Sequence, residues 1–289
     1  MLPTADPALP ASTYAPPRIA RPGDGLARWS RRALPIAATC WCSVAVAGQL
    51  LLASYVLAFY GRALAAGHPE RWNEVMPHGY EPGRTGGNLL VAMHLLFTVV
   101  IFASGALQLL PQIRRHAPAI HRWNGRLYVL SALLMGGGGL AMMSTRRVVG
   151  DASQHASTMI NAALIAAFAL LAWRTAVARR FDLHRRWALR LFLVVGGVWF
   201  FRLGLSAWLV VNRGPVGFDP KTFEGPFLTA LGYAQYLVPL AVLEAYLRVR
   251  DHAGPRGRVA MAFALGASTL LTAFGIACAA MILWLPHMA

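Results

Sequence analysis

Apolar runs of eighteen or more residues recur along this chain, and that single feature restricts what it can become. A run of that length with few charges crosses about 30 Å of hydrocarbon as a helix rising about 1.5 Å per residue. Seven such spans are expected, near residues 34–60, 88–110, 126–144, 154–173, 190–211, 228–248 and 259–284. Backbone groups in lipid find no water to bond to, so spans of this kind are helical. The expected fold is all-α, a polytopic membrane helical bundle of about seven transmembrane helices. Spans two to five form its four-helix core as two similar hairpins. Residues 31–289 constitute this integral membrane domain. Residues 1–30 carry six prolines among Ala, Ser and Arg and read as a disordered cytoplasmic tail. The first span begins too late and runs too long for a signal-peptide core, so it reads as an uncleaved signal anchor.

Charge then sets the orientation. The formal net charge is +16, and every basic residue but Lys221 is an arginine. Nineteen basic residues fall in the first 32 residues and near 111–126, 174–190 and 248–258; seven fall near 61–86, 145–153 and 212–227. The positive-inside rule places the first group in the cytoplasm, with the N-terminus cytoplasmic and the C-terminus external. The bias towards Arg, Ala and Pro suggests a GC-rich bacterial genome, hence the bacterial cytoplasmic (inner) membrane. The basic excess reports topology, which points to lipid bilayer as the partner and away from nucleic acid. Cys40, Cys42 and Cys278 all lie inside apolar runs, with no disulfide framework and no Cys-x-x-Cys metal motif.

Two polar stretches interrupt the apolar pattern. One is Ile120-His121-Arg122-Trp123-Asn124-Gly125-Arg126-Leu127-Tyr128; the other is Leu183-His184-Arg185-Arg186-Trp187-Ala188-Leu189-Arg190. His94 lies one or two turns into the outer end of the second span, and His155 opens the fourth span on the same side. His121 and His184 sit at the cytoplasmic starts of the third and fifth. The intervals His94 to His155 and His121 to His184 are 61 and 63 residues, close to one hairpin repeat. Two outer and two inner histidines on four helices can supply axial ligands, because bundle cores build haem sites from facing helices. Gly105 shares a face with His94, Ala166 with His155, and Gly139 with His121, leaving gaps for a flat macrocycle; close helix packing uses the same small residues. A histidine inside an apolar span is costly and usually functional, which singles out His94. His155 follows Asp151 and Ser153, so a helix-capping role competes with ligation. Headgroup anchoring by Arg and Trp competes for His121 and His184.

Arg202 stands within the fifth span, eighteen residues and so about 27 Å above His184 at 1.5 Å per residue. A guanidinium there costs at least about 2–3 kcal/mol unless it meets an anion or a watery cavity. A haem propionate, a quinone oxygen or Glu244 are the candidates, with Glu244 near the opposite face; snorkelling to the interface is the alternative. The loop from His68 to Glu81 is the richest external segment and reads as a cover for the mouth of the bundle.

The two His-Arg stretches, with His94, the Gly105 to Gln108 segment and Phe201-Arg202-Leu203, resemble the bacterial membrane proteins of domain-of-unknown-function 2306. The resemblance covers roughly residues 90–210, with a family-like core at 88–211, and implies a multi-span membrane protein without an established activity. A weaker, architectural resemblance is to transmembrane di-haem cytochromes of the b-561 type. It implies bis-histidine pairs across alternate helices, here His94 with His155 and His121 with His184, the inner pair lying shallower than that pattern wants.

The expected function is therefore b-type haem binding, with one or two haems, and electron transfer in the bacterial inner membrane. All four histidines would be haem-iron ligands, Arg202 would neutralise a propionate, and a quinone or other redox partner would exchange the electron. The alternative is a non-redox permease or assembly factor whose histidines and Arg202 line a polar intramembrane cavity.

Overall fold

A computed structural model describes residues 24–76, 78–145 and 150–288. Most of the expected tail, and Arg146 and Arg147 of the expected outer loop, lie outside the described residues. The first helix, α1 (Asp24–Val56), begins seven residues inside the expected tail. The described elements that follow are helices: α2 (Arg62–Ala65), α3 (Thr85–Leu109), α4 (Pro111–His116), α5 (Pro118–Thr145), α6 (Ala152–Val177), α7 (Phe181–Val195), α8 (Gly197–Asn212), α9 (Pro226–His252) and α10 (Pro255–Ala279). Six of the described helical runs are long and apolar enough to cross a membrane, and the bent pair α7–α8 passes the same test when its two helices are taken together. The protein is an all-α integral membrane bundle.

Local chemistry sets the helix ends. Pro111, Pro118, Pro226 and Pro255 each open a helix, where a missing N–H costs nothing and a fixed φ helps. Asp151 caps α6 by accepting the Gln154 backbone N–H at 2.8 Å. Both His-Arg stretches form the opening turns of α5 and α7, so these helices start earlier than the apolar runs alone suggest.

One end of the bundle carries the turns around 110–117, 178–180 and 253–254 and is here termed the arginine-rich end. The other carries 66–84 and 213–225 and is termed the loop end. Around the bundle, α1 packs on α10 and α3, α3 on α5, α5 on α6, α6 on α9, α9 on α8, and α8 on α10. The α7–α8 span runs through the interior, where Leu191, Val194, Trp199 and Ser206 are buried. The span expected near 190–211 is made of two helices and bends by 47° at Gly196. Neighbouring helices approach closely at the bend: a Cβ on Gly196 would lie 3.3 Å from Gln49 Nε2, and one on Gly197 would lie 2.9 Å from Asn161 Nδ2.

Near the loop end, α1 continues through a π-turn at Leu57–Gly61 and α10 through another at Ala280–Trp284. Such turns disturb the i→i−4 ladder, and the Tyr60 carbonyl accepts the buried Trp72 indole N–H at 3.2 Å. This contact pins the loop after α2 onto α1. Reciprocal Asn73–Tyr80 and Glu81–Asn88 bonds of 2.8–3.0 Å hold the rest of that loop against the bundle.

A candidate intramembrane site

The loop-end half contains a concentration of polar groups that apolar surroundings ordinarily exclude. His94 projects from α3 with Nδ1 buried and without a hydrogen-bond partner. The Arg202 guanidinium on α8 lies within electrostatic range of His94 and of Tyr55 and Tyr60 from the end of the first span. Among the described residues Arg202 has no ion-pair partner. Glu244 is unavailable to it, because the Arg190 fork holds that carboxylate at 2.7 and 2.9 Å. The Tyr55 hydroxyl and the Trp284 indole N–H are likewise buried without partners.

Aromatic rings close this site towards the loop end. Tyr55 and Tyr60 meet edge to face at 5.7 Å, Phe59 meets Tyr60 at 4.9 Å, and the His287 ring lies 5.4 Å from Phe59. His287 donates to the Leu283 carbonyl at 2.9 Å, which orients its ring. Tyr55 and Tyr60 are absent from the expected site. Their signal was present as aromatic residues near the end of the first apolar run, but nothing in the run says that α8 lies opposite.

His155 stands near the start of α6 with Nε2 buried and unpartnered. Capping falls to Asp151 instead, whose second oxygen accepts the Thr229 hydroxyl at 3.1 Å. The Gln154 backbone N–H, assisted by Thr229 and the Ser153 N–H, holds the Asp151 carboxyl below the usual aspartate range. The helices bearing His94 and His155 are separated by α5, as those bearing His121 and His184 are separated by α6.

The expected gaps fare differently at the two ends. Nothing lies within 4 Å of a Cβ built on Gly139, which leaves space near the loop end. Beside Gly105 the space is filled: such a Cβ would meet the Tyr128 ring at 3.1 Å and Phe192 at 3.7 Å. At this arginine-rich end the conspicuous stretch docks α5 on α3. Asn124 donates to the Ser104 carbonyl at 2.8 Å and Gln108 to the His121 carbonyl at 2.9 Å. His121 lies within electrostatic range of His184 and Arg114, and its Nδ1 is buried without a partner. His184 donates from Nδ1 to the Ala172 carbonyl at 2.9 Å.

A line of polar contacts also descends from the loop end between α6 and α9. Below Asp151–Thr229, the Tyr233 hydroxyl donates to the Ser153 carbonyl at 3.3 Å, and Ser157 donates to the Gly232 carbonyl at 2.6 Å. It ends at Asn161 Oδ1 and Gln235 Oε1, both buried without partners beside the Gly197 bend. Among the described residues no group of three or more His, Cys, Asp or Glu side chains is placed to hold a metal ion.

Residues 91–218 match the family model for domain of unknown function 2306, described as a predicted membrane protein. No curated protein and no solved structure shows a match to the chain. The architectural likeness to di-haem cytochromes therefore gains no support from these comparisons.

Proposed function

We propose that this integral membrane protein binds one b-type haem in the loop-end half of the bundle and transfers electrons through it. His94 and His155 would be the axial ligands, with Arg202 against a propionate. The observation that carries this reading is the buried His94 imidazole on α3, without a hydrogen-bond partner among the described residues and near an unpaired guanidinium, with a second unpartnered imidazole, His155, on α6. An Arg inside a span is stabilised by an anion, and an unpartnered imidazole by a Lewis acid or a donor. Bound haem supplies one-electron chemistry; the chain's own part is to hold it, exclude water and balance its charge. The filled space beside Gly105 does not fit a second macrocycle, so the reading is confined to the loop end. The arginine-rich end would face the cytoplasm of a bacterial inner membrane, and a quinone or another redox protein would exchange the electron.

The test is spectroscopic. Protein expressed with haem supplementation and purified in detergent should show a reduced-minus-oxidised b-type spectrum. His94→Ala should abolish it and His121→Ala should leave it intact; a folded, colourless wild-type protein would refute the proposal. The polar line along α6 and α9 favours a second reading, a non-redox permease or assembly factor. Discontinuous spans with unpartnered polar groups near mid-membrane also line transport sites.

A further inference from the structure

The fifth span is interrupted where its neighbours bring amide side chains against it. The Gly196 N–H still reaches the Phe192 carbonyl at 3.2 Å, and the Gly196 carbonyl accepts the Phe200 N–H at 2.9 Å. Between those two bonds α7 ends, α8 begins and the chain turns by 47°. A side chain or a water inserted into the helical ladder is one of the few physical causes of a bend this sharp. Gln49 of α1, Asn161 of α6 and Gln235 of α9 are 2%, 7% and 8% exposed, so all three amides are withdrawn from solvent. A Cβ on Gly197 would lie 2.9 Å from Asn161 Nδ2 and 3.5 Å from Gln235 Oε1, so one point beside the bend is within reach of both side chains. Asn161 Oδ1 and Gln235 Oε1 are nevertheless buried without a hydrogen-bond partner among the described residues.

The chemistry of the two oxygens defines what they need. Gln235 Nε2 donates to the Gly232 carbonyl at 2.7 Å, which only the NH2 end can do, so the end left beside Gly197 is an acceptor. The same carbonyl accepts the Ser157 hydroxyl at 2.6 Å, which fixes α9 on α6 here. An unmet acceptor in an apolar bundle is costly, and buried water supplies the missing bonds of such groups. A cation lacks counter-charge at this point. The Arg190 fork holds Glu244, and Asp151 caps α6 ten residues and about 15 Å along the helix from Asn161. A larger solute is opposed by the close approach of Asn161 to Gly197. We infer that Asn161 Oδ1 and Gln235 Oε1 form the binding site of one buried water molecule at the helix break. The water donates one hydrogen bond to each oxygen and turns its lone pairs to the first-turn N–H groups of α8, which meet no carbonyl within their own helix. It thereby replaces interrupted ladder bonds and joins α6, α8 and α9. The site does not depend on the haem proposed between His94 and His155.

The test follows magnetisation from water to assigned amides of the full-length protein in liposomes by solid-state NMR. Transfer should reach the Asn161 side-chain NH2 and the Gly197 N–H, and should bypass the N–H of Leu203, a buried residue in the regular part of α8. Absence of transfer at Asn161 and Gly197 would overturn the site, whether the two side-chain amides then bond each other or nothing. Stability supplies an independent sign. Asn161→Leu and Gln235→Met keep much of the volume, and each should lower the thermal midpoint by about 2–8 °C, the scale of a lost hydrogen bond to a buried group. The double variant should lose less than the sum, since one water serves both positions; full additivity would mean separate partners and sink the shared site. A higher midpoint in either variant would show that its oxygen bonds nothing in the native protein, which refutes the water. A midpoint raised by sodium, but not by potassium or choline at equal ionic strength, would assign the oxygens to a cation instead. Should a variant fail to fold, transfer in the wild type decides alone. Colourless protein serves as well as haem-loaded protein, so failure of the haem reading leaves this test intact.

Discussion

Replacing Arg202 by Met should stabilise the ligand-free protein, which is the reverse of the usual effect of altering an interior residue. Arg202 lies ten residues before the end of α8, about 15 Å from the loop end at 1.5 Å per residue and inside the span. An Arg at the centre of a span costs about 2.5–3.5 kcal/mol on insertion scales. The side chain is half-buried and has Tyr55, Tyr60 and His94 for polar company, so we halve that figure to about 1–2 kcal/mol. Met retains much of the volume, so little cavity cost offsets the gain. At about 2–4 °C per kcal/mol, the melting midpoint should rise by about 2–8 °C. Thermal unfolding in one detergent, with wild type and Arg202→Met prepared without haem, measures it. The same variant should lose haem faster when loaded. A lower midpoint for the ligand-free variant would show that Arg202 already has a stabilising partner, and the case for an anionic ligand would collapse.

Two further outcomes test the frame around the site. Gly197→Ala should lower the midpoint by the equivalent of about 1–3 kcal/mol, because its Cβ would lie 2.9 Å from the Asn161 amide; Gly138→Ala, with nothing within 4 Å, should not destabilise. The Asp151 carboxyl has a lowered folded pKa, so its contribution is present above the ordinary aspartate value and is lost as pH falls through the folded one. Stability measured down to about pH 3 should therefore fall less steeply in Asp151→Asn, which keeps an N-cap without the charge; an unchanged slope would remove Asp151 from the acid response.

Of the expected constellation, the residue types were legible in the chain and their company was not. His94 and Arg202 stood out because ionisable groups in apolar runs are rare for an energetic reason. Their proximity to each other and to Tyr55 depends on α8 running through the middle of the bundle. The Ile120–Tyr128 stretch was conspicuous for its polarity, yet Asn124 and Gly125 turn out to dock α5 against α3. Asn161 and Gln49 carried the same signal of polarity in an apolar run, and the bend they meet at Gly196 and Gly197 explains them.

By itself, the sequence determined the number and rough extent of the spans, the all-helical class and the segregation of arginine to one end. Each depends on a local property: transfer of apolar length into lipid, satisfaction of backbone groups within one helix, and charge at the interface. Tertiary structure alone decided the bend in the fifth span, the filling of the gap beside Gly105 by Tyr128, and the pairing of Glu244 with Arg190 rather than Arg202. These are contacts between helices distant in the chain. In a uniformly apolar bundle many pairings bury similar surface, so side-chain shape and the rare polar groups choose among them.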